Sequence, residues 1–461
     1  MSVAEAFDPV LAGPKIPEKP LPFFKQIQVA RENQMGAFPR AAYEQPVYIS
    51  KSMFGIGYFI NDPAGIKRVL LDNVANYPKT DMEQEGLGAA FGDGILVSTG
   101  EKWKSHRRTM APSFDFKSIV SYSPAMVECS QAAIGQWDRK GSGSVVDIAD
   151  EMTHLTLQII SRTMFSTDAD RLGGLVDGAM RKGQDLLTFG LLDILPIIGP
   201  RRIKARLARV RATFGEMDVV MHGLIQSRAK ASGGGTKDLL DRLVAARDSE
   251  TGIGMTDEEI RDELVIIFLA GHETTALAMT YVWYLLSQHP VVEAKLHAEL
   301  DSVLRGRAPT HDDLANLPYT KMVIEESMRL YPPAPGLSAR VAREEDEVAG
   351  QKIPKGATVL VTPWVVQRHR LLWDNPERFE PERFSPERSQ GRHRFAYMPF
   401  GGGPRVCIGM ALAMTEASLI LATIAQRYRL KLVPGQDIVL QHRITMRPRD
   451  GIKMILSPRR G

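Results

Sequence analysis

One cysteine in a glycine-rich loop constrains this chain more than any other feature of its sequence. The loop runs from Phe400 to Gly409, reads FGGGPRVCIG, and passes directly into an apolar helical stretch, Met410 to Gln426. Glycines lack a Cβ atom, so backbone N–H groups can approach an anion closely, and a helix N-terminus adds positive potential. Both effects favour a thiolate at Cys407, which is a strong electron-donating ligand for iron. The loop therefore predicts a metal–thiolate centre that must be shielded from solvent.

The cysteine count and the charge balance exclude several classes of protein. Cys129 and Cys407 are the only two cysteines, so the chain has neither a disulfide framework nor the paired spacing of a structural metal site. A reducing compartment is the simpler inference. With 58 Lys and Arg against 54 Asp and Glu, the net charge is only +4, which does not indicate nucleic-acid binding.

The first part of the chain shows no targeting signal. Met1 to Gln34 contains no run of 18 apolar residues, so neither a secretory signal nor an integral membrane anchor is expected. We expect a cytoplasmic protein. Residues 1–45, with the proline-rich stretch from Pro14 to Pro22, are expected to form an extended N-terminal segment. Residues 46–461 are expected to form one domain, because motifs spread from residue 103 to residue 409 must converge on one site.

The patterning favours a mainly α protein with small β-sheets, that is, an α+β fold. Thr256 to Glu259 reads TDEE, a capping box that opens a helix continuing to about Gln288, where Pro290 ends it. At 1.5 Å per residue this helix spans roughly 50 Å and crosses the whole molecule. The expected β structure is a small sheet over Pro46–Ile60, a strand over Val359–Val366, and a hairpin over Thr445–Leu456 that turns at Arg449–Gly451. A basic helical stretch over Arg201–Arg209 lies either in solvent or on a membrane surface. Ser232–Gly235 is expected to be a flexible connector.

The long helix contains the hexapeptide AGHETT, from Ala270 to Thr275. A zinc-protease motif would need a second histidine four residues after His272, where this chain has Ala276. Gly271 costs up to about 1 kcal/mol relative to alanine inside a helix, and a neighbouring threonine hydroxyl can bond to a carbonyl and bend the helix. We therefore expect a local groove in which a small molecule or water lies against the backbone.

The cysteine loop resembles the haem-binding signature of the cytochrome P-450 superfamily. It matches that signature at every defining position, which are Phe400, Gly403, Arg405, Cys407 and Gly409. The resemblance extends from about Gly94 to the end of the sequence. It implies the P-450 fold, in which haem b lies between the long oxygen-binding helix and the helix after the cysteine loop. It also implies that Cys407 is the axial ligand of the iron.

The same resemblance assigns roles to other residues around the cofactor. In AGHETT, Glu273 would be the acid and Thr274 the alcohol that relay protons during oxygen activation, and Ala270 would lie over the porphyrin face. Phe400 and Gly409 belong to the cofactor-binding loop. The carboxylates of the haem would be bound by an indole and three guanidinium groups, those of Trp103, Arg107, Arg340 and Arg405.

A structural network is also implied. The motif EXXR at Glu326 to Arg329 places a carboxylate and a guanidinium on one helix face, and PERF at Pro381 to Phe384 supplies Arg383. By resemblance these three charged residues form a buried network that locks the scaffold of the cysteine loop. Removing one member would leave a buried charge uncompensated, at roughly 3–5 kcal/mol.

These expectations imply a haem-thiolate monooxygenase that inserts one oxygen atom from O2 into a hydrophobic substrate. Electrons would come from a ferredoxin or flavodoxin with its NAD(P)H-dependent reductase, and the protein is expected to be a monomer. Lys102, Lys104, Arg108 and Arg394 would form a basic docking face for that partner. The substrate pocket would draw on four mostly apolar segments, Phe91–Leu96, Leu187–Leu195, Ala334–Ser338 and Ile444–Met446.

Two other functions remain open from the sequence. A haem-thiolate peroxygenase or isomerase would need no redox partner. The intact Glu273–Thr274 pair argues against it, because an enzyme that bypasses O2 needs no such proton relay. A haem-based gas sensor or carrier would leave the apolar pocket segments unexplained.

Overall fold

The computed structural model describes residues 11–52, 55–166, 198–230, 238–442 and 444–459. Its α-helices are α1 (Phe23–Glu32), α2 (Pro63–Lys67), α3 (Asp81–Phe91), α4 (Gly100–Met110), α5 (Phe116–Lys140), α6 (Ile148–Phe165), α7 (Ile198–Lys230), α8 (Leu239–Ala245), α9 (Asp257–Gln288), α10 (Pro290–Leu304), α11 (Pro318–Leu330), α12 (Pro363–Val366), α13 (Pro386–Ser389) and α14 (Met410–Ala425). Its strands are β1 (Val47–Ser52), β2 (Gly55–Ile60), β3 (Val145–Asp147), β4 (Arg340–Val341), β5 (Asp346–Val348), β6 (Gln351–Ile353), β7 (Thr358–Leu360), β8 (Tyr428–Leu432), β9 (Leu440–His442), β10 (Met446–Pro448) and β11 (Lys453–Pro458). The expected α+β class is confirmed.

Helix α9 is the central element of the fold. Thr256 caps it as the sequence predicts, since its hydroxyl accepts from the Glu259 N–H while the Glu259 carboxylate accepts from the Thr256 N–H. The helix packs against α6, α11 and α14. Among the described helices it is the one long and apolar enough to cross a membrane, but 78% of its apolar window is buried inside the protein. It is therefore a core helix, and it positions the residues of AGHETT in the interior.

The described strands form four small sheets. The largest has the order β1-β2-β7-β4, in which β2 and β7 are parallel and the other pairs antiparallel. The expected sheet over Pro46–Ile60 is confirmed as the β1–β2 hairpin. The expected hairpin over Thr445–Leu456 is wrong, because β10 pairs with β9 while β11 pairs with β3 and β8. The turn near Gly451 separates two sheets, and the backbone there lies against the Asp147 side chain.

The expected strand over Val359–Val366 is only half right. Strand β7 ends at Leu360, and α12 begins at Pro363 with Thr362 as its N-cap. Proline fixes φ near the helical value and has no N–H to donate, so it favours the first turn of a helix over the interior of a strand. The β-branched residues on both sides made the whole stretch look like one strand.

The N-terminal segment is more structured than expected. It contains α1, and Met35 and Phe38 belong to the main hydrophobic core. The backbone of Ala12 is held at both groups, since its N–H donates to the Tyr284 hydroxyl at 3.0 Å and its carbonyl accepts from the Tyr331 hydroxyl at 2.7 Å. Ala12 is therefore bound to α9 and to the residue that follows α11.

Two of the expected features lie outside the described residues, namely the connector at Ser232–Gly235 and the pocket segment at Leu187–Leu195. The basic stretch Arg201–Arg209 falls in α7, where most of its cations are exposed.

Candidate active site

The cysteine loop is folded tightly on itself before α14. The Cys407 N–H donates to the Phe400 carbonyl at 2.9 Å, and the Val406 N–H donates to the Gly403 carbonyl at 3.1 Å. Gly403 has φ +67°, and a Cβ atom there would lie 1.9 Å from the carbonyl oxygen of Leu70. Only glycine fits this position, both because of its left-handed backbone and because the Leu70 backbone cannot move aside.

Cys407 lies at an exposed position three residues before α14 begins. Burial raises the pKa of Cys407, while the backbone N–H of Gly409 and the charge of Arg107 act in the opposite direction. The predicted support from loop N–H groups is thus present, but burial outweighs it. The loop thus acts on the sulfur in the predicted direction, and a cation bound to Cys407 would favour the thiolate further.

The AGHETT residues lie on the middle turns of α9. Ala270 is exposed although Phe268 and Leu269, on the preceding turn, are buried, so α9 borders open space at this point. The Thr274 hydroxyl donates to the Ala270 carbonyl at 2.6 Å. This is the threonine-to-carbonyl bond that the sequence predicts.

Gly271 serves a purpose different from the one expected. A Cβ atom there would lie 2.4 Å from Cδ1 of Ile160 on α6, so the glycine lets two helices approach each other closely. A second bond between the same helices is the one from the Thr156 hydroxyl to the His272 carbonyl at 2.9 Å. The open space beside α9 is therefore on the Ala270 side of the helix and not at Gly271.

Glu273 is tied to the C-terminal hairpin β9–β10. Its Oε1 accepts from the Arg447 guanidinium at 2.7 Å and from the Thr445 hydroxyl at 2.9 Å. The sequence did not predict this anchor. Thr445 lies within the expected pocket segment Ile444–Met446, so the same short stretch of chain reaches both the acid and the expected substrate position.

Three buried or half-buried cations converge beside the cysteine loop. Lys79 and Arg340 face each other across a backbone bridge, and both are nearly inaccessible to solvent. The Arg405 guanidinium lies over the Trp103 indole, 4.4 Å from the ring centroid. Burial, together with the charges of Arg405 and Arg340, lowers the pKa of Lys79 to about 8. Burial and the charge of Arg340 lower the pKa of Arg405 to about 10.

These shifts mean that the cluster lacks negative charge. Within the described part of the chain, the buried Nε of Arg340 and the buried Nη1 of Arg405 have no hydrogen-bond partner. The charge of Glu83 acts on Lys79 and Arg340, and its carboxylate accepts from the Ala339 N–H at 2.8 Å. Unsatisfied buried guanidinium donors are costly, and a ligand with carboxylates would satisfy them. The two carboxylates of a haem fit this donor set.

Two residues near the cysteine loop, Lys79 and Arg107, differ from the expected set of haem-binding residues. Lys79 was missed, because a lone lysine after a proline carries no signal in the sequence. Its Nζ donates to the Leu96 carbonyl. Arg107, expected at a haem carboxylate, donates through Nη1 to the Val406 carbonyl at 2.7 Å and so braces the residue before Cys407.

The predicted charge network is brought together. Arg329 donates two hydrogen bonds to the Glu326 carboxylate, from Nε to Oε2 at 2.7 Å and from Nη2 to Oε1 at 2.9 Å. Both side chains are fully buried. Arg383 lies 3.3 Å from the same carboxylate. Arg329 also donates to the backbone carbonyls of Gln367, Pro376 and Arg378. The ion pair therefore fixes a long irregular segment of backbone ahead of the cysteine loop.

Gln367 connects this network to the loop, and sequence reasoning missed it. Its side-chain amide donates to the carbonyls of Met328 and Arg329 at 3.0 and 3.1 Å, and its oxygen accepts from the Met398 N–H at 2.9 Å. Met398 in turn accepts from the Gly401 N–H at 3.0 Å. A continuous chain of hydrogen bonds therefore runs from α11 to the glycines of the loop.

The expected basic docking face is largely neutralised. Lys102 pairs with Asp93, Lys104 with Glu101, and Arg108 with Asp248, at 2.8, 2.6 and 2.9 Å respectively. Arg394 instead lies over the Phe395 ring. It lines a cleft of about 370 Å³ beside the cysteine loop, together with Arg392, His393, Phe400, Val406 and Met410. The positive surface near Cys407 is therefore centred on residues 392–394.

Comparisons with known proteins show the family to which the chain belongs. A family model described as Cytochrome P450 matches residues 14–455. Cyclooctat-9-en-7-ol 5-monooxygenase of Streptomyces melanosporofaciens is 38% identical over 357 residues, which cover 76% of this chain and 75% of the relative. Cyclooctatin synthase of the same organism is 36% identical over 407 residues, covering 86% and 84%. Pentalenene oxygenase of Streptomyces avermitilis is 32% identical, covering 80% and 81%.

Solved structures give the same result. The fold superposes on the crystal structure of the cytochrome P450DA heme domain with a TM-score of 0.81 and 27% sequence identity. The match covers 96% of this chain and 94% of that one.

Proposed function

The chain belongs to the cytochrome P450 family and is a haem-thiolate monooxygenase, and we propose that it hydroxylates a hydrophobic substrate with Cys407 as the axial ligand of its haem. The observation that carries the proposal is the joint placement of two features. A glycine-rich loop presents one thiol at an exposed position, and beside it lie buried guanidinium donors without partners.

The residues that would hold the haem follow from these features. Cys407 would bind the iron, and Arg340 and Arg405 would bind the carboxylates. The Trp103 indole would hold Arg405 in place by stacking on its guanidinium. We add Lys79 to this set and assign Arg107 to bracing the loop at Val406. Bound in this way, the haem supplies the activation of O2, assisted by the electron-donating sulfur.

Proton delivery is the part that we assign to α9. The Thr274 hydroxyl donates to the Ala270 carbonyl, so its oxygen remains free to accept a hydrogen bond from a molecule in the open space beside Ala270. Glu273, the neighbouring acid, is held by Arg447 and Thr445. We propose that the acid supplies protons to Thr274 and that its anchor on the hairpin keeps it at a defined distance.

The substrate is proposed to be a mainly apolar cyclic compound. The named relatives act on cyclooctat-9-en-7-ol and pentalenene, an alkenol and an alkene. In this chain the expected pocket segment Phe91–Leu96 includes buried Phe91 and exposed Leu96. Side chains of this kind bind hydrocarbon surface in preference to sugars or nucleotides.

The electron donor is proposed to be an acidic ferredoxin or flavodoxin with its NAD(P)H-dependent reductase, in the cytoplasm. Its docking site is proposed at the cleft lined by Arg392, His393 and Arg394, since the other expected cations are paired with acids. Arg394→Glu should lower the rate of reduction by the partner at low salt. Lys104→Glu, at a position already paired with Glu101, is the matched control.

A single set of measurements tests the proposed function. The purified haem-loaded protein should show the absorption of a thiolate-ligated carbon-monoxide complex, and Cys407→Ser should abolish it. Turnover of cyclic hydrocarbons with a ferredoxin–reductase pair is then compared with turnover on hydrogen peroxide alone. Product with peroxide but not with the redox pair would identify a peroxygenase, and reversible gas binding without any product would identify a sensor or carrier.

A further inference from the structure

The loop at residues 92–96 lies directly on α9 through its backbone. The Asp93 N–H donates to Oδ2 of Asp262 at 2.7 Å, and the Ile95 N–H donates to Oε1 of Glu263 at 2.7 Å. A Cβ atom at Gly92, which has φ +71°, would lie 2.1 Å from the Asp262 carboxylate. The two carboxylates on α9 thus hold this loop by accepting from its amides.

A buried histidine on α4 forms a hydrogen bond with one of those carboxylates. His106 places Nδ1 2.6 Å from Oε1 of Glu263, the same oxygen that holds Ile95. Its Nε2 lies 3.4 Å from Oε1 of Glu259, one turn earlier on α9. His106 is 3% exposed and the Glu263 side chain is fully buried. A single imidazole therefore bridges two acids at the point where the loop meets the helix.

Only the imidazolium can satisfy both acids. The charged ring has two N–H donors, whereas the neutral ring has one donor and one lone pair. When the proton is lost, either Glu263 or Glu259 faces a lone pair. The 2.6 Å contact keeps the remaining proton on Nδ1, so Glu259 faces the lone pair. Glu263 loses the positive charge that offsets its burial, and its Oε2 has no hydrogen-bond partner among the described residues.

The electrostatics of the cluster favour the protonated form of the ring. Burial lowers the pKa of His106, but the hydrogen bonds and charges of Glu263 and Glu259 outweigh it and raise the pKa. Burial raises the pKa of Glu263, opposed chiefly by its hydrogen bond to His106. The remaining charged groups near the bridge pair with one another: Lys102 of α4 with Asp93 of the loop, and Arg261 with Asp262 on α9.

The loop also reaches the cofactor side of the molecule. After Ile95, the Leu96 carbonyl accepts from Lys79, a member of the cation cluster. His106 itself lies on α4 between Trp103 and Arg107. Movement of residues 92–96 would therefore change both the expected substrate pocket and the surroundings of the haem carboxylates.

We propose that His106, Glu259 and Glu263 form a proton-dependent latch that holds loop 92–96 against α9 and releases it when His106 loses its proton. That the released loop admits ligand to the haem rests on the proposed function; the latch itself does not. Because the pKa of His106 is raised in the folded protein, the latch is fully formed below the ordinary histidine value of about 6.5. It is lost as the pH rises through the folded value.

Hydrogen exchange of the haem-loaded protein tests the latch without any turnover. Protection factors of the Asp93 and Ile95 amides, corrected for the intrinsic rate, are expected to fall about tenfold or more between pH 6 and pH 9. In His106→Gln they should be low at both values. Glu258→Gln, an exposed acid on the same turn of α9, and His154→Gln, an exposed histidine on α6, are matched controls and should behave as the wild type.

Two further measurements keep the proposal open to refutation if His106→Gln fails to fold. Exchange at C2 of the His106 ring in the wild type should give a pKa above about 6.5, and an ordinary or lower value overturns the latch. Gly92→Ala should release the loop at every pH, because φ at this position is +71° and the new Cβ would lie 2.1 Å from the Asp262 carboxylate.

Ligand entry is followed with n-butyl isocyanide, which binds reduced haem and does not titrate in this range. Its association rate constant should rise several-fold from pH 6 to pH 9 in the wild type and be high throughout in His106→Gln. Protection and entry rates that do not change with pH in the wild type would overturn the proposal. Failure to find a hydroxylated product would leave the exchange result standing, so the two proposals fail separately.

Discussion

The hydroxyl of Thr274 already donates its proton inside its own helix, to the Ala270 carbonyl. Its oxygen therefore has only acceptor capacity left for a molecule in the neighbouring open space. Such a group fixes the position of an incoming hydrogen-bond donor, and it passes on a proton only after its O–H turns away from the Ala270 carbonyl. Alanine at this position would leave the helix intact and remove the acceptor.

Thr274→Ala is expected to retain haem and substrate binding but to divert electrons from product to hydrogen peroxide. The ratio of product to NAD(P)H consumed should fall by about tenfold, which corresponds to about 1.4 kcal/mol between competing barriers. Thr280→Ala is the matched control, because Thr280 makes the same bond, to the Ala276 carbonyl, further along α9. Unchanged coupling in Thr274→Ala would contradict the relay role.

A second prediction at the residue scale concerns Arg340, whose buried Nε has no hydrogen-bond partner in the described part of the protein. Arg340→Met is expected to weaken haem retention by about tenfold or more, since a hydrogen bond to a charged group contributes about 1.5–3 kcal/mol. Transfer of haem to apomyoglobin measures the loss rate. Arg343→Met, an exposed arginine three residues later, should match the wild type. Equal loss rates for both variants would remove Arg340 from the site.

At the scale of elements, the hairpin β9–β10 and the helix α9 act together. Glu273 receives one bond from Thr445, just before β10, and one from Arg447 within it. The backbone of Met446 between them is also anchored, since its carbonyl accepts from the Tyr281 hydroxyl and its N–H donates to the Pro333 carbonyl. The hairpin thus fixes the acid while its own position is fixed by α9.

Arg447→Leu should loosen the hairpin and uncouple turnover. Amide exchange in Leu440–His442 is expected to rise about threefold to tenfold, because a partly exposed charged bond contributes about 1 kcal/mol. Arg449→Leu, two residues away and paired only at the surface with Asp450, is the matched control. If the two variants exchange and couple alike, the anchor has no effect on the acid.

The segment between α11 and the cysteine loop depends on Arg329. Arg329→Ala is expected to lower the free energy of unfolding by roughly 3–5 kcal/mol and to abolish haem incorporation, because the buried Glu326 carboxylate loses its two-bond partner and three backbone carbonyls lose their donor. Urea unfolding and the haem-to-protein ratio measure both effects. Arg388→Ala, at an exposed ion pair with Glu380, should cost about 1 kcal/mol or less. Normal haem content in Arg329→Ala would refute the role of the network.

At the scale of the whole molecule, local chemistry was readable from the sequence and long-range pairing was not. The Thr256 cap, the α9 span and the Glu326–Arg329 pair each depend on residues close together in the chain, and all three are present. The β10–β9 pairing, the Glu273–Arg447 bond and the Lys79 position depend on residues brought together from distant segments. Gly271 shows the same limit, because its neighbour Ile160 lies on another helix.

Both ends of the described chain converge on one turn of α9. Tyr284 binds Ala12 and Tyr281 binds Met446, so contacts that span 272 and 165 residues meet at two positions three residues apart on the same helix. During synthesis the N-terminal stretch emerges long before its binding site exists, because the two tyrosines that bind Ala12 follow it by 272 and 319 residues. Slow maturation, dependence on chaperones and a high yield of insoluble material at fast expression rates are the expected outcome.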